Sequence, residues 1–99
     1  MARRVTWSPA ARSQFRGIIE YVCGAWSRQV AERVRRDYLG RIALLAQFPN
    51  LGHASPARPG VRLLSLSPLH AAAYEQPTQG GIRILALVDL RAAPSAMGE

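Results

Sequence analysis

Ile82-Arg83-Ile84-Leu85-Ala86-Leu87-Val88-Asp89 is the stretch on which the fold of this chain turns. Strict alternation places Ile82, Ile84, Ala86 and Val88 on one side of an extended strand, and Arg83, Leu85, Leu87 and Asp89 on the other. The middle of the run is therefore apolar on both sides, which is the pattern of an internal strand covered on both faces. Thr78-Gln79-Gly80-Gly81 before it reads as a hairpin turn, and Leu69 to Gln76 as the strand on the other side of that turn. Ser67-Pro68 is a second turn, and Val61 to Ser67 a further strand. Upstream, His53 to Gly60 holds two prolines and a glycine and reads as a loop.

The first half of the chain changes period. Arg4-Val5-Thr6-Trp7 alternates as a short strand. Ser8-Pro9 then opens a helix, with Ser8 as N-cap and Pro9 at the first position, where a missing N–H costs nothing. Phe15, Ile18, Ile19, Val22 and Trp26 form one helical stripe, and Cys23 beside it reads as a small core residue. Gly24 weakens the end of this helix, and Ser27 caps a second one expected from Arg28 to Gln47. The second stripe is Ala31, Val34, Tyr38, Ile42 and Leu45. Its outer face sets Glu32 near Arg36, and Asp37 near Arg33 and Arg41, at helical pair spacing. Gly40 suggests a close approach of the first helix, and Pro49-Asn50-Leu51-Gly52 ends the helical half.

The expected class is α+β, in the order β-α-α-β-β-β, with an N-terminal α-hairpin packed on one face of a small antiparallel sheet. Two helices cover one face of such a sheet, so the apolar second face implies cover from a partner. Residues 1–91 read as one domain and 92–99 as a loose tail.

Composition narrows the function. The 99 residues carry 13 basic and 6 acidic side chains, a net charge of +7, and every basic residue is Arg. Such a charge suits an anionic partner or a solvated, arginine-rich surface. Guanidinium stays protonated, so these residues bind carboxylate or phosphate but make poor general bases. One cysteine allows no disulfide framework and no cysteine metal site. No apolar stretch reaches the length of a bilayer span, and Met1-Ala2-Arg3-Arg4 leads into no signal-peptide core, so a cytoplasmic protein is expected.

Enzyme motifs are nearly absent: there is no phosphate loop, nucleophile elbow or paired-carboxylate signature. His53 and His70 lie in different elements, so no metal and no cofactor are expected. His70, on the same strand face as Ala72 and Tyr74, reads either as an acid–base group or as a polar strand end beside a half-buried tyrosine. Arg62, Arg83 and Arg91 fall on or just past strands, as a basic face or as unrelated edge charges. Ala71-Ala72-Ala73 is small enough for another backbone, or the chain's own helices, to lie close.

These pieces resemble, in their order, the RelE/ParE superfamily of bacterial type II toxins. The resemblance runs through Trp7-Ser8-Pro9-Ala10-Ala11, Ile18-Ile19-Glu20-Tyr21-Val22 and the helix end from Ile42 to Gly52. It continues through Pro59 to Ser65, His70-Ala71-Ala72-Ala73-Tyr74, and Ile82 to Arg91. It implies a β-α-α-β-β-β fold and a ParD-like antitoxin whose acidic, apolar C-terminal segment folds onto the toxin in a hetero-oligomer. RelE-like members cut mRNA on the ribosome with a basic cluster; ParE-like members inhibit DNA gyrase. Here there is no lysine, no aromatic residue follows Tyr74, Glu75 replaces a common Arg, and Asp89 stands where many members have His. The resemblance thus favours a gyrase-directed toxin that works by binding, with Arg62, Leu64, Ala72, Tyr74, Arg83, Leu85, Leu87 and Arg91 as partner-binding residues. The alternatives are a ribosome-dependent endoribonuclease using Arg62, His70, Tyr74, Arg83 and Arg91, and a non-toxic antitoxin-binding relic.

Overall fold

The computed structural model describes residues 3–77 and 80–91. Strand β1 (Val5–Trp7) leads into helices α1 (Pro9–Ala25) and α2 (Arg28–Ala43), followed by a 3-10 turn at Leu44–Ala46. Strands β2 (His53–Ala54), β3 (Val61–Ser65), β4 (His70–Glu75) and β5 (Ile82–Asp89) complete one sheet of order β1-β5-β4-β3-β2. Pairing is antiparallel except for β1, which returns beside β5 in parallel. The fold is α+β with the expected element order. His53–Ala54 adds a two-residue edge strand where the prolines and glycine suggested only loop.

Both helix starts follow from a serine. Ser8 Oγ accepts from the Ala11 N–H at 3.0 Å, and Ser27 Oγ from the Val30 N–H at 3.1 Å, each capping an orphan donor of the first turn. Regular α2 ends four residues earlier than Gln47, tightening into the 3-10 turn, and Gln47 and Phe48 both bond back to the Leu44 carbonyl.

Ala11, Tyr38, Ile42 and Leu45 meet Leu64, Ala72, Tyr74, Ile82, Ile84 and Leu87 in one core, with Phe15, Ile18 and Val34 packed against it. The α2 stripe is the core stripe, as its spacing indicated. Burying each large aliphatic here contributes roughly 1.5–3 kcal/mol. In α1, by contrast, only Ala11 is fully buried. Trp26 is 74% exposed and Cys23 is exposed, so neither belongs to the core. The expected helix pairs are also unmade: among the described residues Arg91–Asp89 is the sole ion pair within 4.0 Å, and Arg41 Nε instead donates to the Ser65 carbonyl at 2.7 Å. Nothing lies within 4 Å of a Cβ built on Gly40, so that glycine serves no close helix approach.

The two-sided apolar run of β5 has a local cause. Ala73 pairs with Ala86 but Tyr74 pairs with Ile84, leaving Leu85 as an extra residue in a bulge. The bulge shifts the alternation by one. Ile82 and Ile84 face the core before it and Leu87 after it, rather than Ile82, Ile84, Ala86 and Val88 together. Backbone groups around the bulge are met from α1: Ser8 Oγ donates to the Leu85 carbonyl at 2.8 Å, Ser8 N–H to the Ile84 carbonyl at 2.9 Å, and the Leu87 N–H donates to Gln14 Oε1 at 2.8 Å. The start of α1 is thereby fixed on β5.

Candidate functional site

Because α1 rides half-buried on the sheet, its apolar side chains are left open on both flanks. One flank, at Gln14, Ile18, Tyr21 and Val22, faces the end of β5 and the start of β4 across a groove of about 570 Å³. Leu69, His70, Leu87, Asp89 and Arg91 form the far wall, and Trp26 stands at the end of α1. Tyr21, Trp26 and Leu69 are 65%, 74% and 43% exposed, a concentration of large apolar surface on a small chain.

Polar groups in this groove are largely spoken for. Asp89 accepts from the Arg91 N–H at 2.9 Å and from its guanidinium at 3.2 Å through both oxygens. These bonds hold the Asp89 carboxyl below its ordinary range and raise the Arg91 guanidinium above its own. Both side chains are exposed to solvent, which screens the pair, so it orients Arg91 rather than holding the fold together. His70 Nδ1 lies 2.7 Å from the Tyr38 hydroxyl, which in turn lies 2.8 Å from Ser67 Oγ. Burial pushes the imidazole below its ordinary 6.5, with Asp89 opposing and Arg91 adding to the shift. The groove is thus mainly apolar, with one mutually compensated ion pair and one histidine in its wall.

The residues singled out by sequence are dispersed. Leu87 and Arg91 line this groove with His70. Arg62 and Tyr74 sit together at the opposite end of the sheet, where both serve the Pro49–Gly52 turn. The Tyr74 hydroxyl donates to the Pro49 carbonyl at 2.7 Å and accepts from the Gly52 N–H at 3.0 Å, while Arg62 donates to the Gly52 carbonyl at 2.7 and 3.0 Å. Four residues of strand, on the order of 13 Å, separate Tyr74 from His70. Leu64 and Ala72 are 1% and 0% exposed and Tyr74 is 0%, so these three lie in the core and expose almost no side-chain surface. Arg83 is exposed on the face away from the helices, opposite Glu75, and Leu85 is half-exposed at the bulge. That outer face also carries the partly exposed Leu63, Ala73, Ala86 and Val88.

As groove residues Gln14, Tyr21 and Leu69 escaped the sequence reading, and Trp26 entered it only as part of the apolar stripe of α1. For Gln14 and Tyr21 the signal was helical: both lie on the Ile18 and Val22 side of the apolar stripe of α1, and a half-buried helix leaves that side open. Among the described residues no group of three or more His, Cys, Asp or Glu is placed to hold a metal ion, and no helix is long and apolar enough to cross a membrane.

The chain matches the family described as "ParE toxin of type II toxin-antitoxin system, parDE" over residues 5–92. Among solved structures it is similar to a chain from the "Chromosomal ParDE TA system from P. aeruginosa", at 22% identity and a TM-score of 0.77. That superposition covers 89% of this chain and 96% of the other, and at such identity it establishes likeness of fold. No curated protein matches the chain.

Proposed function

This chain belongs to the ParE toxin family of type II toxin–antitoxin systems, and from that membership we propose that it acts by binding rather than by catalysis. Its target is DNA gyrase, it acts in the cytoplasm, and a cognate ParD-like antitoxin neutralises it in a hetero-oligomer. The observation that carries this reading is the separation of its polar side chains. Arg62 and Tyr74 are bound to a turn, Arg83 lies on the outer face, and Arg91 is paired with Asp89 beside His70. Cutting RNA calls for an acid, a base and cations around one phosphate. These residues stand at three separate places.

The α1–β5 groove suits the antitoxin. An amphipathic segment laid along it buries Tyr21, Trp26 and Leu69 against Leu87, in the manner of a helix in an apolar groove. Aromatic residues at the centre of such a contact carry most of its energy, so Trp26→Ala should weaken antitoxin binding by about 2 kcal/mol or more. Because Trp26 is exposed, the variant should melt like the parent, and calorimetric titration against purified antitoxin reads the loss. Unchanged affinity places the antitoxin elsewhere. The toxic activity itself is tested in a translation extract: ribosome-bound mRNA should stay intact at toxin levels that halt DNA replication in cells. Cleaved message would instead establish the endoribonuclease.

A further inference from the structure

The other flank of α1 forms a second groove of about 460 Å³, between α1, α2 and the end of β1. Its chemistry differs from that of the first. Trp7, Phe15, Ile19 and Leu39 make a half-buried apolar floor, and the exposed rim carries Arg12, Arg16 and Arg35 against one acid, Glu20. None of the three arginines has a carboxylate partner within 4.0 Å among the described residues. Arg12 and Arg16 are one turn apart on α1, and Arg35 faces them from α2, so fixed cations line both banks of an apolar floor.

We propose that this arginine-rimmed groove is the docking site for an acidic, apolar segment of the toxin's target protein. Charge complementarity selects the chemistry: apolar side chains meet the floor while carboxylates meet guanidinium forks on either bank. A nucleic-acid strand fits less well. The Trp7 and Phe15 rings pack on one another at 5.5 Å and 55°, half-buried rather than offering open faces for base stacking, and Glu20 opposes an evenly charged backbone. A peptide can place a neutral residue opposite Glu20. The division of labour between the grooves is physical. A long-lived antitoxin complex favours the apolar α1–β5 groove, whereas a transient encounter with a target gains its rate and selectivity from charge. This assignment rests on the reading of the chain as a topoisomerase-directed toxin.

The test uses the full chain with Arg12→Glu, Arg16→Glu and Arg35→Glu together, and separately Glu20→Gln, each checked for unchanged melting; antitoxin affinity should also be unchanged, and its loss in the triple variant gives the groove to the acidic antitoxin segment and overturns the inference. In a gyrase supercoiling assay the triple variant should lose at least about tenfold in inhibitory potency. Inhibition equal to the parent's overturns the inference and leaves the toxin reading standing. If the parent itself leaves gyrase untouched, that reading fails, and a second arm decides the groove. Its probe is a short fluorescein-labelled peptide with leucines on one face and glutamates on both flanks. Tighter binding to Glu20→Gln, binding at least about tenfold weaker to the triple variant, and weakening with salt support the groove. Equal binding to all three proteins, or displacement of the peptide from the parent by a single-stranded oligonucleotide, overturns it.

Discussion

Tyr74 shows how a side chain that resembles a proton donor is used for structure. Its hydroxyl bonds to both ends of the Pro49–Gly52 turn from a fully buried position. Tyr74→Phe leaves the Gly52 N–H and the Pro49 carbonyl without that partner, so the variant should lose about 1–3 kcal/mol in denaturant unfolding. Gly52 belongs to the same arrangement: a Cβ there would meet the Leu63 carbonyl oxygen at 2.5 Å and Tyr74 Cε1 at 2.9 Å. Gly52→Ala should therefore cost on the order of 3 kcal/mol, because the conflict is with backbone rather than with a movable side chain. His70 sets the acid response. Its folded pKa lies below the ordinary 6.5, so the folded chain takes up this proton less readily than the unfolded chain does. The stability it contributes is fully present above 6.5 and is lost as pH falls through the lowered value. Melting temperature should thus fall more steeply for the parent than for His70→Asn between about pH 7 and about pH 5. Parallel profiles would show that His70 is not the group responsible.

At the scale of elements, the buried stripe of α2 was legible, and so were the bounds of β5, but which way the second half of β5 faces was not. The Ala31–Tyr38–Ile42–Leu45 stripe follows the helical period without interruption, and burial follows it. In β5 the alternation fails at Leu85, where a bulge moves Leu87 to the core face. Nothing in Ile84-Leu85-Ala86-Leu87 marks which residue is extra, because all four are apolar. The bulge is held by tertiary contacts, among them the bonds from Ser8 and Gln14 and the pairing with β4. Ser8→Ala removes both a helix cap and the bond to the Leu85 carbonyl, and should lower stability by about 1–2 kcal/mol. Trp26 misled for the opposite reason. It continues the period of α1, but the helix ends there and the ring lies outside the core. Gly40 is a helix-interior glycine with open space around it, so Gly40→Ala should raise stability by about 0.5–1 kcal/mol, as read from the melting midpoint.

Taken whole, the molecule is a sheet with one helix-covered face and a helix, α1, that is left half-finished on both flanks. The sequence reading looked for a missing partner on the second face of the sheet, where Leu63, Ala73, Ala86 and Val88 are partly exposed. The bulge accounts for part of the two-sided apolar pattern, and the largest exposed apolar groups, Trp26 and Tyr21, lie along α1 instead. The order of elements and the family resemblance were readable because strand and helix periods differ. The grooves were not, because they depend on how deeply α1 sinks onto the sheet. The charge of +7 was readable as suiting an anionic partner or a solvated surface, while its local meaning depends on which arginines find partners.

The most direct test of the binding account is plasmid cleavage by purified gyrase in the presence of this protein, with and without its antitoxin. The account predicts accumulation of cleaved DNA, suppressed by antitoxin and undiminished when His70 and Arg91 are both replaced by alanine. Gyrase turnover unaffected at any toxin concentration, with ribosome-bound message cut instead, would contradict it.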